Sequence, residues 1–246
     1  MPYLNSVPFF RGLDWEDRYG VVECVPRELG RRAAAGGITA GLLPLVDFLR
    51  LEDTFERLGH FGIAVRGRAH SVMLFSRRPL RQLDGAVIAV TEETSTSAVL
   101  LRLLLEQRYQ LSPAAYRRGQ DPDADAMVLI GDEALRFQHA NTRYPFEIDL
   151  AFEWWLWQHL PFVFAVWAIR KDADEKDKKQ IEAGLAKSLA MNLRAFGTIA
   201  QECAPSLGTP ATVLQAYLEN FVYRLGPGEE EGIGRFQELV NEHHLL

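Results

Sequence analysis

The sequence predicts an α/β protein built from two lobes with a cleft between them. A strand, a turn and a helix follow one another twice, in "YGVVECVPRELGRRAAAGG" and in "GAVIAVTEETSTSAVLLRLLLEQRY". Two long apolar strands, "HSVMLFSRRP" and "PFVFAVWAIR", lie at the boundaries between these units and can carry the chain across and back. With 246 residues and 48% hydrophobic residues, the chain can bury one large or two small cores.

The first lobe opens with "YLNSVPFF", where Asn5 and Ser6 stand between an apolar start and Pro8. Because proline lacks an N–H and forces the preceding residue extended, this pattern predicts the end of a short first strand. "YGVVECVP" predicts a second strand, and "RELGRRAAAGG" predicts a helix that stops at its glycine pair. "ITAGLLPLVDFLRL" predicts a strand, a turn and a helix from Pro44, and "FGIAVRG" and "HSVMLFSRRP" are β-rich.

In the second lobe, "GAVIAV" is a buried strand, "TEETSTS" a polar turn and "AVLLRLLLEQRY" a helix. "DADAMVLIGDEAL" predicts a further strand, turn and helix start, and "DLAFEWWLWQHL" an aromatic-rich helix. Apolar spacings of three and four predict one helix over "EKDKKQIEAGLAKSLAMNLRAFGTIA", and two shorter helices end the chain. We therefore expect lobe 1 to comprise residues 1–75 and 165–246, with C-terminal helices, and lobe 2 to comprise residues 76–164.

The composition favours a cytoplasmic protein that binds a small molecule. A net charge of −6 argues against nucleic acid as a partner. No export leader precedes Tyr3, and no apolar run reaches the roughly 20 residues that span a bilayer, so no membrane partner is expected.

The widely separated Cys24 and Cys203 fit a reducing compartment, although a disulfide between them stays open. The six histidines show no ligand spacing, and we expect no metal and no cofactor. The oligomeric state is left open.

Small polar residues beside predicted strand ends are candidate ligand contacts. Ligands of open α/β sheets bind outside the carboxyl ends of the strands, which points to Asn5 and Ser6. Ser71 begins the strand that crosses between the lobes, so it is placed at the cleft. The alternatives are structural, because Asn5 can simply close a turn and Ser71 can be a surface hydroxyl.

The hydroxyl-rich turn of the second lobe is the strongest local signal. Ser95, Thr96 and Ser97 open a helix, and the free N–H groups of a first helical turn bind anions. This favours a carboxylate or a phosphate, although a plain N-cap would need only one hydroxyl. Gly131 and Asp132 repeat the arrangement with fewer donors, and Asp132 is also explained as a carboxylate at a helix start.

Five segments, in order along the chain, resemble the chorismate dehydratases of the futalosine route to menaquinone: "YLNSVPFF", "RAHSVMLFSRRPL", "TSTSAVLLRLLLE", "DAMVLIGDEAL" and "LPFVFAVWAIR". The resemblance covers about the first 170 residues, and the helical tail matches only in character. It implies a two-lobed fold of the type II periplasmic-binding-protein kind, turned into a cytoplasmic enzyme. It also implies loss of water from chorismate, which gives 3-[(1-carboxyvinyl)oxy]benzoate.

The resemblance places Asn5 and Ser71 on the family's substrate-contacting asparagine and serine, and Thr96 and Ser97 on its helix-start hydroxyls. Asn5 is thus the predicted catalytic residue. An amide is not basic at neutral pH, so its role is to orient the departing hydroxyl or the ether carboxylate. No matched segment holds a histidine or glutamate suited to be the base. We therefore hypothesise that the enolpyruvyl carboxylate of the substrate itself takes the proton.

Two positions depart from the family pattern. Ser95 stands where relatives often carry arginine, so weaker carboxylate binding is expected there. Pro44 stands where many relatives carry serine or threonine, so the second contact loop of the first lobe departs from the family pattern. Two alternative functions are kept. One is a solute-binding protein that captures a small carboxylate without chemistry. The other is the sister enzyme that forms dihydroxynaphthoate, whose Cys-Pro-Asn-Asp opening this sequence lacks.

Overall fold

A computed structural model describes residues 3–13, 15 and 19–246. The strands are β1 (Ala40–Pro44), β2 (Phe55–Val65), β3 (Val72–Ser76), β4 (Val87–Val90), β5 (Ala115–Arg118), β6 (Ala126–Ile130), β7 (Phe146–Asp149), β8 (Phe162–Arg170) and β9 (Phe221–Arg224). The helices are α1 (Val7–Phe10), α2 (Pro26–Ala34), α3 (Leu45–Arg50), α4 (Thr96–Arg102), α5 (Gly131–Ala140), α6 (Leu150–Gln158), α7 (Glu175–Asn192), α8 (Phe196–Leu207), α9 (Ala211–Glu219) and α10 (Pro227–Glu242). Short 3-10 turns cover Leu4–Ser6 and Leu80–Gln82, and a π-helical segment, Leu103–Arg108, continues α4.

The strands form two sheets. A four-stranded antiparallel sheet has the order β1-β8-β2-β9, and a five-stranded mixed sheet has the order β5-β4-β6-β3-β7. In the mixed sheet β4 is parallel to β5 and β6, whereas β3 is antiparallel to β6 and β7. The α/β class with two units is as expected from the sequence.

The two long apolar strands that were expected to cross between the lobes belong to different sheets. β3 lies in the five-stranded sheet and β8 lies in the four-stranded sheet. Strand pairing therefore favours placing residues 72–75 with the second lobe and residues 162–164 with the first. The lobe limits 1–75 with 165–246, and 76–164, otherwise stay a prediction.

The opening segment is not a strand. Leu4–Ser6 forms a 3-10 turn that leads into α1, and Pro8 lies in the first turn of that helix. A proline is tolerated there because its missing N–H has no partner to lose within the helix. The strand predicted for "YGVVECVP" is also wrong, since Tyr19–Val25 has no regular structure and Val21 and Val22 are exposed. Alternating β-branched residues cannot make a strand without a neighbouring strand to pair with.

The C-terminal part differs from the sequence prediction at two places. The single long helix is divided, because α7 ends at Asn192 and α8 begins at Phe196. The Asn192 amide donates to the backbone oxygens of Pro8 and Arg11, at 3.1 and 2.8 Å, which fixes α7 against the opening segment. The short strand β9 was not predicted. It forms one edge of the four-stranded sheet and pairs with β2.

Two further properties of the described residues follow. Cys24 and Cys203 are both free thiols, so the disulfide that the sequence left open is not formed. In the part of the chain that the structure describes, no helix combines the length and apolar character needed to cross a bilayer.

Candidate substrate cavity between the two sheets

The topology of the five-stranded sheet brings the predicted polar residues to one edge. β4 and β6 are parallel, so the turns that follow Val90 and Ile130 leave the sheet at the same end. β3 is antiparallel to β6, and its first residue, Val72, pairs with Ile130. As a result Ser71 lies beside Gly131, whose N–H donates to the Ser71 carbonyl at 2.7 Å.

These residues line a cavity of about 50 Å³ between the two sheets. The lining residues are Tyr3, Asn5, Pro26, Pro44, Ile63, Ser71, Val72, Thr94, Thr96, Ser97, Ile130, Gly131, Phe164, Ala165 and Phe221. Five of the eight predicted contacts, Asn5, Ser71, Thr96, Ser97 and Gly131, are thus brought together, whereas Ser6, Ser95 and Asp132 are not. None of these lining residues is an aspartate, glutamate, histidine, lysine or arginine, so the walls carry hydroxyl, amide and apolar groups.

Asn5 has an unsatisfied acceptor in this cavity. Its Oδ1 atom is buried and accepts no hydrogen bond from the described residues. Buried polar atoms without a partner are costly in a folded protein, typically by about 1–3 kcal/mol. A water molecule or a ligand group in the cavity can supply the missing donor.

Ser6 and Asp132 support Asn5 from behind. The Asp132 carboxylate accepts from the Leu4 N–H at 3.0 Å, and the Ser6 hydroxyl donates to the Tyr3 carbonyl at 2.7 Å. Both bonds fix the 3-10 turn that carries Asn5. Burial raises the pKa of Asp132, with the Leu4 N–H opposing the shift. The predicted contact residues Ser6 and Asp132 therefore shape the turn and do not face the cavity.

Gly131 is required by two features of its position. Its φ angle is +57°, in the left-handed region, and a Cβ atom there would lie 2.8 Å from the Tyr3 ring. A side chain at this position would be strained and would push Tyr3 out of the cavity wall. The sequence pattern "IGD" predicted Gly131 as a site residue. The close approach of the Tyr3 ring could not be predicted, because Tyr3 lies 128 positions earlier in the chain.

The hydroxyl-rich turn offers fewer free donors than its sequence suggested. The Thr94 hydroxyl accepts from the Ser97 N–H at 3.1 Å, and the Thr96 hydroxyl accepts from the Val46 N–H at 3.2 Å. The expectation that the Ser97 amide is free to bind an anion is therefore corrected, because Thr94 already caps it. Since Thr96 Oγ1 accepts from Val46, the Thr96 hydroxyl keeps its own proton to donate.

Ser95 faces a different space. It lines a larger open cleft of about 1190 Å³, and its hydroxyl donates to the Asp47 carboxylate. Burial raises the pKa of Asp47, and the bond from Ser95 opposes that shift. The expected direct contact of Ser95 with ligand is not supported by this orientation. Pro44, the second departure from the family pattern, does line the inner cavity.

Hydrogen bonds connect the two halves beside the inner cavity. The Tyr3 hydroxyl donates to the Glu93 carboxylate, and the Arg27 N–H donates to the Glu93 carbonyl at 3.0 Å. Together with the Val46–Thr96 and Asp47–Ser95 bonds, they tie the segments around the four-stranded sheet to the turn after β4. At 10–15 Å³ for each water, the cavity has room for about four water molecules.

One residue of the site was missed by sequence reasoning. Tyr217, on α9, is buried and its hydroxyl lies 2.8 Å from the Ser71 hydroxyl. It follows Ser71 by 146 positions and sits in an ordinary amphipathic helix pattern. No local signal marks such a residue, because only the packing of α9 against the start of β3 makes it a neighbour.

Two sheets with a cavity between them define a two-lobed fold, and solved structures agree. Protein AF1704 from Archaeoglobus fulgidus matches with a TM-score of 0.78 and 16% identity, covering 100% of this chain and 96% of that one. The periplasmic aliphatic sulphonate binding protein of Escherichia coli matches with a TM-score of 0.64 and 14% identity, covering 99% and 85%. The fold is therefore of the periplasmic-binding-protein kind, as the sequence predicted.

The sequence places the chain within a narrower group. It belongs to the menaquinone biosynthesis family, whose model matches residues 1–242. A curated relative, the chorismate dehydratase of Thermus thermophilus, is 33% identical over 256 residues, which cover 97% of this chain and 92% of that relative.

Proposed function

We propose that this protein is a hydro-lyase that converts chorismate into 3-[(1-carboxyvinyl)oxy]benzoate and water in menaquinone biosynthesis. The family membership and the chorismate dehydratase relative support this function. The observation that carries it is the cavity in which Asn5, Ser71 and Thr96 converge from three distant segments of the chain. A cytoplasmic location belongs to the same proposal and rests on the sequence alone.

The reaction needs donors at one carboxylate. The hydrogen on ring carbon 3 of chorismate is vinylogous to the ring carboxylate, so removing it pushes the electron pair onto that carboxylate. Hydroxide then leaves carbon 4 and takes up a proton to form water, and the ring becomes aromatic. Donors at the ring carboxylate therefore stabilise the transition state more than the ground state.

Neutral groups of the cavity supply these donors. Thr96 follows β4 and Ser71 precedes β3, and both residues line the cavity. Their hydroxyls can hold a carboxylate between them. The Asn5 amide orients the leaving hydroxyl or the ether carboxylate, and its free Oδ1 accepts from a hydroxyl group. The aromatic and aliphatic walls exclude water, which strengthens each of these hydrogen bonds.

The proton acceptor in this proposal is the substrate's own enolpyruvyl carboxylate. Among the residues that line the cavity, Tyr3 is the one titratable side chain, and burial and the Glu93 hydrogen bond raise its pKa, so it keeps its proton at neutral pH. Glu153, a carboxylate on α6, is paired with Arg108 at 2.8 Å and lies outside the cavity lining, so it does not reach the substrate.

We expect the two halves to move apart when substrate enters. The inner cavity holds about four waters, which is less space than a ring with two carboxylate groups occupies. The hydrogen bonds that Glu93, Thr96 and Ser95 make across the cleft must therefore open and re-form around the substrate. Closure of this kind completes a site and removes water from it.

We expect the purified protein to convert chorismate into the benzoate product without added metal or cofactor. The measurement is the change in ultraviolet absorbance on mixing, with the product identified by mass spectrometry. A matched sample with Thr96→Val, which keeps the side-chain shape and loses the hydroxyl, is expected to be slower by about a hundredfold. Tight binding of chorismate with no turnover would favour a solute-binding protein instead.

The role of Asp132 can be separated from that of a base. We expect Asp132→Asn to keep turnover within about threefold of wild type, since its oxygen still accepts from the Leu4 N–H. Burial raises the pKa of Asp132 from its ordinary value of 3.8, so ionisation of this group lowers the free energy of unfolding as pH rises above that value. The variant is therefore expected to be more stable than wild type at pH 7 and equally stable below about pH 4.

Urea unfolding across this pH range, together with turnover, tests the Asp132 prediction. Arg136 attracts and Glu93 repels the Asp132 carboxylate, and both interactions are lost with the charge in Asp132→Asn, so the measured difference in stability includes them as well as burial. Glu153→Gln is the companion variant, and we expect it to lose stability through Arg108 while keeping turnover. A collapse of turnover with intact chorismate binding in either variant would identify a protein base and overturn the substrate-assisted step.

A further inference from the structure

We infer that Tyr217 is a positioning residue for this site, because it makes the Ser71 hydroxyl a hydrogen-bond donor toward the cavity. The inference rests on the proposed function, in that Ser71 is taken to hold a substrate carboxylate. Tyr217 does not line the cavity itself, so it acts through Ser71.

The geometry isolates the two hydroxyls from solvent. Tyr217 is 4% exposed and Ser71 is 1% exposed, and their oxygens lie 2.8 Å apart. Among the described residues, the Tyr217 hydroxyl makes no other hydrogen bond. Burial raises the pKa of Tyr217, so the phenol keeps its proton at neutral pH.

The direction of this hydrogen bond follows from what each alternative would leave unpaired. If Ser71 donated to Tyr217, the phenol proton would have no acceptor in a buried, apolar place, which is unfavourable. If Tyr217 donates to Ser71, the phenol is satisfied and the serine proton is free to turn toward the cavity that Ser71 lines. A carboxylate is an acceptor only, so it binds the second arrangement and is repelled by the lone pairs of the first.

Tyr223 provides a matched control within the same chain. It is 2% exposed, and its hydroxyl is also buried, but it has no hydrogen-bond partner among the described residues. Tyr223 lies on β9 and does not line the cavity. Tyr217→Phe and Tyr223→Phe therefore remove the same atom from the same kind of environment, and only the first removes a partner of Ser71.

The kinetic experiment is a double-mutant cycle with chorismate. We expect Tyr217→Phe to lower kcat/KM by about tenfold and Ser71→Ala by about a hundredfold. The double variant is expected to match Ser71→Ala alone, because Tyr217 has nothing left to position. Tyr223→Phe is expected to stay within about twofold of wild type. Additive losses in the double variant would show that Tyr217 acts independently of Ser71, and the inference would be wrong.

A second measurement does not depend on turnover. The Raman doublet of tyrosine reports whether a phenol donates or accepts, and the wild-type spectrum minus the Tyr217→Phe spectrum isolates this residue. We expect Tyr217 to give the signature of a strong hydrogen-bond donor. In the Ser71→Ala background this signature is expected to be lost, because the acceptor of the phenol proton is gone. An acceptor signature would overturn the inference even in an active enzyme. A donor signature in a protein that does not turn over chorismate would leave the hydroxyl direction standing and reject the proposed function.

Discussion

Replacing Asn5 with aspartate is expected to lower kcat/KM for chorismate by about a thousandfold. The substitution keeps the side-chain shape but removes the amide donor and adds a negative charge beside the cavity. The substrate is a dianion, and the lining residues offer it no cationic side chain. Asp132 and Glu93 lie close to the same segment, so a third carboxylate there is also repelled by the protein. Steady-state kinetics followed by product absorbance measure the loss.

Two companion variants give this result its meaning. Asn5→Ala removes the donor without adding charge, and we expect a smaller loss of about a hundredfold. Asn241→Asp makes the same chemical change on the exposed side of α10 and is expected to leave turnover unchanged. Wild-type kcat/KM in Asn5→Asp, with an unchanged melting temperature, would mean that Asn5 only closes a turn.

Replacing Gly131 with alanine is expected to cost about 3 kcal/mol of the free energy of unfolding and to reduce turnover at least tenfold. One part of the cost is the φ angle of +57°, which an alanine adopts with strain. The other part is the Tyr3 ring, whose Cγ and Cδ1 atoms would lie 2.8 Å from the new methyl group. Moving that ring breaks its bond to Glu93, which connects the two halves beside the cavity.

Gly208→Ala separates these two parts. Gly208 has a φ angle of +61°, similar to that of Gly131, but beyond its chain neighbours no described atom lies within 4 Å of the position of its Cβ. We expect this control to lose about 1 kcal/mol from backbone strain and to keep full activity. Equal losses in both variants, measured by urea unfolding, would show that the approach of Tyr3 contributes nothing.

Local chemistry accounts for the parts of the site that could be predicted from the sequence. Buried strands, glycine stops and helix-opening hydroxyls act over a few residues, so β4, β6, α4 and α5 were found with their turns. The same rules pointed to Ser71, Thr96 and Gly131, which follow or precede such strands. The orientation of neighbouring hydroxyls was not predictable, since Ser95 and Thr96 are adjacent and face different spaces.

The sequence by itself determined an α/β protein of two units and a set of small polar residues at the ends of buried strands. Only the tertiary structure decided which of them share a cavity, because that depends on the antiparallel placement of β3 beside β6 and on contacts between distant segments. Tyr217 beside Ser71, Tyr3 against Gly131 and Leu4 on Asp132 are all of this kind. Their energies arise from burial and hydrogen bonds that exist after the chain has folded, and no pattern of neighbouring residues encodes them.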